Sequence, residues 1–415
     1  MKDIMKKLKG RGFEDNAHRV KIIASVAAIV LFAVVGLCFF FRPTYSESEK
    51  RNLTEFPKFT FGTFLSGEYF SQISLWYSDT YPLRESMINA NSSIQSMYGE
   101  REDQLIVSPS VDDTIENGGV IEKFDKVWVQ KETKTAFEFF NNRTEKNDVY
   151  IDAVNTAADK LEGVNVYDMI VPLHYTYRLT DEQIAQVGAP DCVEVINSIY
   201  ERLDDNVTTI DVHSQLMAHR DEYLYFRTDH HWTARGAYYA YVAFCEAKGI
   251  TPTPLEDYER VVFEGFVGSF YSWSGKNKTL GDNPDYVEAF IPRGTNLLTD
   301  NGTGTEYAIV YKGAGKYDAS NKYLCFIGGD RALSTIHNPN IKNGSSIVVI
   351  KESYGNAFVP FLVDSYEYVY VIDYRDYNGS LADFVEKNNV DDVLFLNTVS
   401  TTASDRSDLI KDLVG

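Results

Sequence analysis

Residues 346–362 read SIVVIKESYGNAFVPFL, and this stretch decides the fold. Ser346 to Ile350 is a short apolar run rich in β-branched residues, which predicts a strand buried on both faces. Lys351 to Asn356 carries a glycine and turns the chain, and the AFVPFL that follows predicts a short helix. Strand, tight turn and helix are the unit from which parallel α/β sheets are built. The turn places Ser353 at the carboxyl end of the strand, where a nucleophile elbow holds its serine near backbone N–H groups able to stabilise an oxyanion. A serine at a helix start also serves as a cap, and Gly-x-Ser-x-Gly is absent. Alone, the segment leaves both readings open.

Working outward, the same alternation recurs. Val164–Val171, Asn206–Val212, Tyr368–Ile372 and Val393–Leu396 predict further strands. Val149–Leu161, Ala189–Leu203, Ala234–Lys248 and Leu381–Asn388 predict the helices between them. The expected class is α/β, a parallel sheet flanked by helices. Between about residues 256 and 343 Gly, Asn and Asp become frequent and no long amphipathic helix is evident, which predicts a β- and loop-rich insertion.

A second segment carries chemistry. Tyr225-Phe226-Arg227-Thr228-Asp229-His230-His231-Trp232-Thr233 precedes ARGAYYAYVAFCEAKG. Thr233 suits an N-cap and Gly249 a C-terminal stop. The Asp-His-His-Trp tetrad therefore sits in a tight connection between a short strand and a helix, the kind of place where open α/β sheets bind ligands. An Asp-x-His pair can orient one imidazole nitrogen and leave the other as a general base. The same residues could ligate a metal or form a structural corner, although a helical His-x3-His pair and a further ligand are both lacking. Taken with Ser353, the two segments supply nucleophile, base and orienting acid.

The amino-terminal part is of another kind. Ile22 to Phe41 is twenty residues without a charge, enough to cross a bilayer core as a helix. No small-x-small cleavage site follows it, which favours an uncleaved transmembrane anchor over a signal peptide. Seven of the eight Lys and Arg within residues 1–42 precede the run, so residues 1–21 form a cytoplasmic basic tail and the chain after Arg42 lies outside the cytoplasm. Residues 42–100 read as a juxtamembrane linker and helical segment, broken at Asp79-Thr80-Tyr81-Pro82 with a second helix over Leu83–Met97. The main domain spans residues 101–415.

Charge narrows the partners. Residues 1–42 hold three acids against those eight bases, leaving 32 bases and 57 acids for the remainder. A domain that acidic repels phosphate backbones, which argues against nucleic acid as a partner. The 28 Tyr suit half-buried strands and helix faces, or a polar cleft where rings stack on sugars. Cys192, Cys245 and Cys325 show neither disulfide-framework nor zinc spacing and read as buried thiols, with one bridge possible.

The tetrad within YFRTDHHWTARGAYYAY resembles the DHHW family of bacterial cell-surface proteins, relatives of the alginate O-acetyltransferase-like proteins with an SGNH-hydrolase-like domain. The resemblance extends over SESEKRNLTEFPKF, SGEYFSQISLWYSDTYPLRE, GSFYSWSG (268–275), GGDRALSTI (328–336) and KESYGNAFVPFL into VIDYRDYN. It implies that Asp229 orients His231, that His231 is the base and that Ser353 is the nucleophile, with His230 at the variable position. Glu352 stands where the family often has Asp. Tyr354 and Asn356 are candidates for the oxyanion site, and Arg375 for substrate contact or a salt bridge. The implied activity is O-acyl (O-acetyl) transfer to a surface or secreted polysaccharide, with a polytopic membrane acyltransferase as partner and neither metal nor cofactor. A carbohydrate esterase using the same residues, and a non-catalytic glycan-binding or scaffold protein, are the alternatives.

Overall fold

The computed structural model describes residues 26, 42–46, 51–65, 68–84, 86–87, 104–107, 119–124 and 127–415. The expected anchor over Ile22–Phe41, apart from Val26, and most of the expected helix over Leu83–Met97 lie outside them. Among the described residues, no helix is long and apolar enough to cross a membrane. The chain forms two compact units, Met1–Gly99 and Glu100–Gly415.

In the first unit, strands β1 (Tyr45–Ser46) and β2 (Arg51–Asn52) pair antiparallel, so the expected linker contains a small ladder. Helices Phe61–Leu65 and Glu68–Asp79 follow. The second ends where sequence placed the break: the Asp79 carboxylate is taken up by the Thr54 N–H and hydroxyl, both at 2.8 Å.

The second unit opens with a four-stranded antiparallel sheet of β3 (Gln104–Val107), β4 (Gly119–Phe124), β5 (Val127–Gln130) and β6 (Thr135–Glu138). Its main body is an eight-stranded mixed sheet. In chain order its strands are β7 (Asn165–Val171), β8 (Val207–Thr209), β11 (Leu297–Asp300), β12 (Glu306–Ala308), β13 (Leu333–His337), β14 (Ser346–Lys351), β15 (Tyr368–Asp373) and β16 (Asp392–Thr398). In space the order is β12-β11-β13-β15-β14-β16-β7-β8. The five strands from β15 to β8 run parallel, as expected. β13, β11 and β12 extend that sheet in antiparallel pairing.

The expected parallel sheet is thus extended into a mixed one by strands from the expected β- and loop-rich insertion. Residues 256–343 contribute three edge strands to the central sheet, and a hairpin of β9 (Glu259–Phe266) and β10 (Asp285–Ile291). The hairpin lays Phe263, Phe266, Val287 and Ala289 into the core on one face.

Alternation along the strands builds two cores. On β14, Ile347 and Val349 point to one face and Val348 and Ile350 to the other. On β16, Leu394 and Leu396 oppose Val393 and Phe395. The first face is covered by helices Ala234–Lys248 and Gly355–Leu362 with the hairpin, the second by Thr144–Lys160, Cys192–Tyr200, Leu381–Asn388 and Arg406–Val414. Each such side chain taken from water contributes about 1.5–3 kcal/mol. Cys192, Cys245 and Cys325 are buried free thiols.

Candidate active site

Ser353 sits in the turn after β14, before the helix Gly355–Leu362. The turn is closed by Gly355 N–H to the Glu352 carbonyl at 2.9 Å and Asn356 N–H to the Ser353 carbonyl at 3.2 Å. Gly355 is required there, because a Cβ on it would lie 2.6 Å from Lys351 Cβ. The capping alternative for Ser353 fails: the helix has no side-chain cap, and the hydroxyl points to His231 instead.

The tetrad occupies a narrow turn closed by a bridge between Tyr225 and Trp232. Asp285 of β10 holds the approach, accepting from the Thr228 N–H at 2.8 Å, the Thr228 hydroxyl at 2.6 Å and Arg227 Nε at 2.9 Å. Thr233 then caps the helix Ala234–Lys248, and Gly249 ends it in the left-handed conformation at φ 74°.

Within this turn, His231 Nδ1 lies 2.6 Å from Asp229 Oδ1 and its Nε2 lies 2.8 Å from Ser353 Oγ. Asp229 is ionised: burial opposes its charge, but the His231 and His230 rings, the His231 hydrogen bond and the Ser269 N–H hold it well below the usual carboxylate range. A carboxylate only accepts, so Nδ1 carries the proton and Nε2 presents its lone pair to the serine. Asp229 and His231 are buried and Ser353 is partly exposed. Two residues separated by 122 positions in sequence meet here.

His230 does not share this role. Its Nδ1 is 2.6 Å from Ser269 Oγ, and its pKa is pushed down to about 3, first by burial and then by His231. Its ring stacks on Trp273 at 5.1 Å. One ligand atom from each of Asp229, His230 and His231 lies within 4.8 Å of the others, a spacing that could hold a cation. His231, however, commits both ring nitrogens to Asp229 and Ser353.

Trp232, fully buried, donates from Nε1 to the Tyr354 carbonyl at 3.0 Å. The Tyr354 hydroxyl donates in return to the His230 carbonyl. Tyr354 is therefore a clamp between the two loops, and only its backbone N–H, in a long 3.4 Å bond to Glu352, faces the role first considered for it. Asn356 is buried, and one of its two Nδ2 hydrogens is donated to Asp330 Oδ1 at 2.8 Å. Arg375 takes the salt-bridge alternative, bonding Asp373 at 2.5 Å and Asp330 at 2.8 Å.

Sequence reasoning missed four supports. Lys351, wholly buried, joins Asp330 at 2.8 Å and Asp373 at 3.0 Å beneath the serine turn; burial disfavours its charge, but the two carboxylates outweigh that and raise its pKa. Tyr323 stacks on His231 at 4.0 Å and donates to the Ser353 carbonyl at 3.0 Å. Ser269 donates its N–H to Asp229 Oδ2 at 2.7 Å. Gly268 lets Asp229 approach, since a Cβ there would fall 2.2 Å from Oδ2. One signal was available: Lys351 and Asp373, opposite charges ending two apolar strands, are direct partners across β14 and β15.

Fold and site together define a mixed α/β protein carrying a serine, a histidine and an aspartate in hydrogen-bond series at one rim of its sheet. The chain belongs to the DHHW protein family, which matches residues 49–128 and 107–372. It is similar to a DHHW family protein from Eubacterium siraeum, with 30% identity over 75% of this chain and 99% of that one and a TM-score of 0.63. It is also similar in fold to Bacillus cereus PatB1 with a sulfonyl adduct (19% identity, 68% and 97% covered, TM-score 0.55). A second PatB1 structure gives 20% identity, 69% and 98% covered, and a TM-score of 0.53. No curated protein matches the chain.

Proposed function

We propose that this chain is an O-acyltransferase that modifies a cell-surface or secreted polysaccharide through Ser353, His231 and Asp229. The observation that carries the reading is the 2.8 Å approach of His231 Nε2 to Ser353 Oγ, with Asp229 fixing the opposite nitrogen. His231 takes the serine proton as Oγ attacks the acyl carbon, and Asp229 stabilises the imidazolium that forms. The leaving group receives that proton, a sugar hydroxyl then replaces it beside Nε2, and the acyl group passes to the sugar as His231 repeats the cycle.

The buried clamp of Trp232, Tyr354 and Tyr323 holds the histidine and serine at this distance, and positioning of that kind is a large part of catalytic power. The Tyr354 N–H, held only by a long 3.4 Å bond to Glu352, is a candidate donor for the oxyanion. An anchor over residues 22–41 would keep the domain on the outer face of the cell membrane, beside a polytopic partner that delivers acyl groups. The resemblance to the alginate O-acetyltransferase-like, SGNH-hydrolase-like proteins supports acetyl or another small acyl group.

The test is acylation of the cell's own surface glycan in strains carrying Ser353→Ala or His231→Ala, with protein levels matched. Loss of the glycan ester in both is expected; an unchanged ester content rejects the proposal. Acyl release by the purified protein that does not respond to added glycan would assign the same residues to hydrolysis.

A further inference from the structure

Beside the nucleophile lies a carboxylate with no counter-charge. Glu352 is only 2% exposed. Its Oε2 lies 3.2 Å from Ser353 Oγ, whose proton is directed to His231 Nε2, and accepts from the Tyr354 N–H in a long 3.4 Å bond; among the described residues Oε1 has no partner. Neighbouring carboxylates, of which Asp373 and Asp285 are buried, are held differently. Asp330 and Asp373 share Lys351 and Arg375, and Asp285 is paired with Arg227. No described Lys, Arg or His lies within the 4.0 Å ion-pair distance of Glu352.

Other polar groups act on the same space. Glu138, at the end of β6, has its pKa pushed up to about 7, by burial first and then by the Glu352 charge, with Arg406 opposing. Tyr374 is buried, its hydroxyl has no partner among the described residues, and Glu352 adds to the burial that keeps it neutral. Arg375 also feels Glu352, but its guanidinium is bonded to Asp373 and Asp330. A buried carboxylate without a cation is costly, and a ligand that brings one removes the cost only while bound.

We propose that Glu352 selects a positively charged acyl group, so that the ester formed on Ser353 is an aminoacyl ester whose α-ammonium is held by the Glu352 carboxylate. This rests on the acyl-transfer reading above and names its substrate class. In such an ester the ammonium nitrogen is three bonds beyond Oγ, about 3 Å away through space. The Glu352 carboxylate, 3.2 Å from the same Oγ, can meet it in a charge-assisted hydrogen bond. An acetyl group would set nothing but a methyl against that carboxylate. An ammonium on the acceptor fits less well, because the acceptor hydroxyl must approach His231 Nε2, whereas Glu352 adjoins the serine.

The chemistry balances without a redox partner. The donor is an activated aminoacyl ester or thioester. The bond from Ser353 Oγ to its acyl carbon forms, the bond to the donor's oxygen or sulfur breaks, and the serine proton passes through His231 to the departing alcohol or thiol. The acceptor hydroxyl then forms the new ester, its proton returning through His231 to Ser353 Oγ.

The experiment uses the purified full chain and p-nitrophenyl esters of glycine and of propionic acid, which differ by an ammonium in place of a methyl. Each rate of p-nitrophenol release is divided by that ester's uncatalysed hydrolysis, and intact-protein mass reports acylation of Ser353. We expect the glycyl ester to be favoured about tenfold or more. That preference should disappear in Glu352→Gln and persist in Glu352→Asp. A wild-type preference for propionyl, or a ratio unchanged in Glu352→Gln, overturns the inference while leaving acyl transfer intact. The wild-type comparison decides the matter should Glu352→Gln not fold. A Glu352-dependent preference for glucosamine over N-acetylglucosamine as acceptor, without a glycyl preference, would place the cation on the acceptor and also overturn it. Acylation by neither ester, with wild type matching Ser353→Ala, would instead remove the acyl-enzyme itself.

Discussion

Trp232 Nε1 donates to the Tyr354 carbonyl at 3.0 Å, and this bond helps tie the loop that carries the base to the loop that carries the nucleophile. Trp232→Phe keeps most of the ring and removes the donor. The Tyr354 carbonyl keeps its bond within the helix Gly355–Leu362 and loses this second one, which costs about 0.5–1.5 kcal/mol. The urea midpoint should fall accordingly, and acylation of Ser353 should slow by a larger factor than the stability loss explains. Equal activity in folded Trp232→Phe would show that the bond does not position the pair.

Gly268→Ala should act on Asp229 and on little else. The added methyl would fall 2.2 Å from the Asp229 carboxylate oxygen, so the carboxylate must leave His231 Nδ1. Activity is expected to drop by about a hundredfold, since misplacement near 1 Å has that effect. Far-ultraviolet circular dichroism should stay native, and full activity would show that the orienting carboxylate is dispensable.

Asp168 on β7 gives a pH-dependent stability. It is wholly buried, bonded by the Tyr150 hydroxyl at 2.5 Å, and its pKa is pushed up to about 7 by burial. The folded state therefore holds a proton that the unfolded chain, with an aspartate near 3.9, releases. Its contribution is fully present below about pH 4 and is lost as the pH rises through about 7, at up to ~1.4 kcal/mol per pH unit. Asp168→Asn keeps an acceptor for Tyr150 and cannot ionise. Urea midpoints between pH 5 and pH 7 should decline less in this variant than in wild type, and parallel curves would contradict the assignment.

Lys351→Met removes the ammonium shared by Asp330 and Asp373 and leaves Arg375 as the only cation bonded to the buried Asp373 carboxylate among the described residues. Removing one partner of a buried pair outright costs about 3–5 kcal/mol, and because Arg375 remains on both carboxylates the loss here should fall below that range. Thermal unfolding should shift down by several degrees, whereas Ser353→Ala should leave the midpoint within about one degree. An unshifted Lys351→Met would mean that the cluster is not what supports the turn.

The strands that define the sheet were readable because burial on both faces leaves an apolar run, as in Ser346–Lys351 and Asp392–Thr398, and helix Ala234–Lys248 was readable to the residue because Thr233 and Gly249 mark its ends. The edge strands β11 to β13 were not: they are short and half-exposed, and their membership of the central sheet comes from long-range pairing with β15. At the site, Asp229, His231 and Ser353 follow from side-chain chemistry and family resemblance. Tyr323, Gly268 and Ser269 belong to the region 256–343, whose path over the sheet no local pattern reports. The hydrogen bond of Asn356 to Asp330 was unreadable for a related reason, since it joins residues 26 apart.

The central claim is that His231, oriented by Asp229, activates Ser353, and covalent capture tests it most directly. Treatment of the full chain with an aryl sulfonyl fluoride, followed by peptide mass spectrometry, should place the adduct on Ser353. Capture should slow by a factor of about a thousand or more in His231→Ala and in Asp229→Ala. Adduct on another serine, or capture of Ser353 at the wild-type rate without His231, would contradict the account.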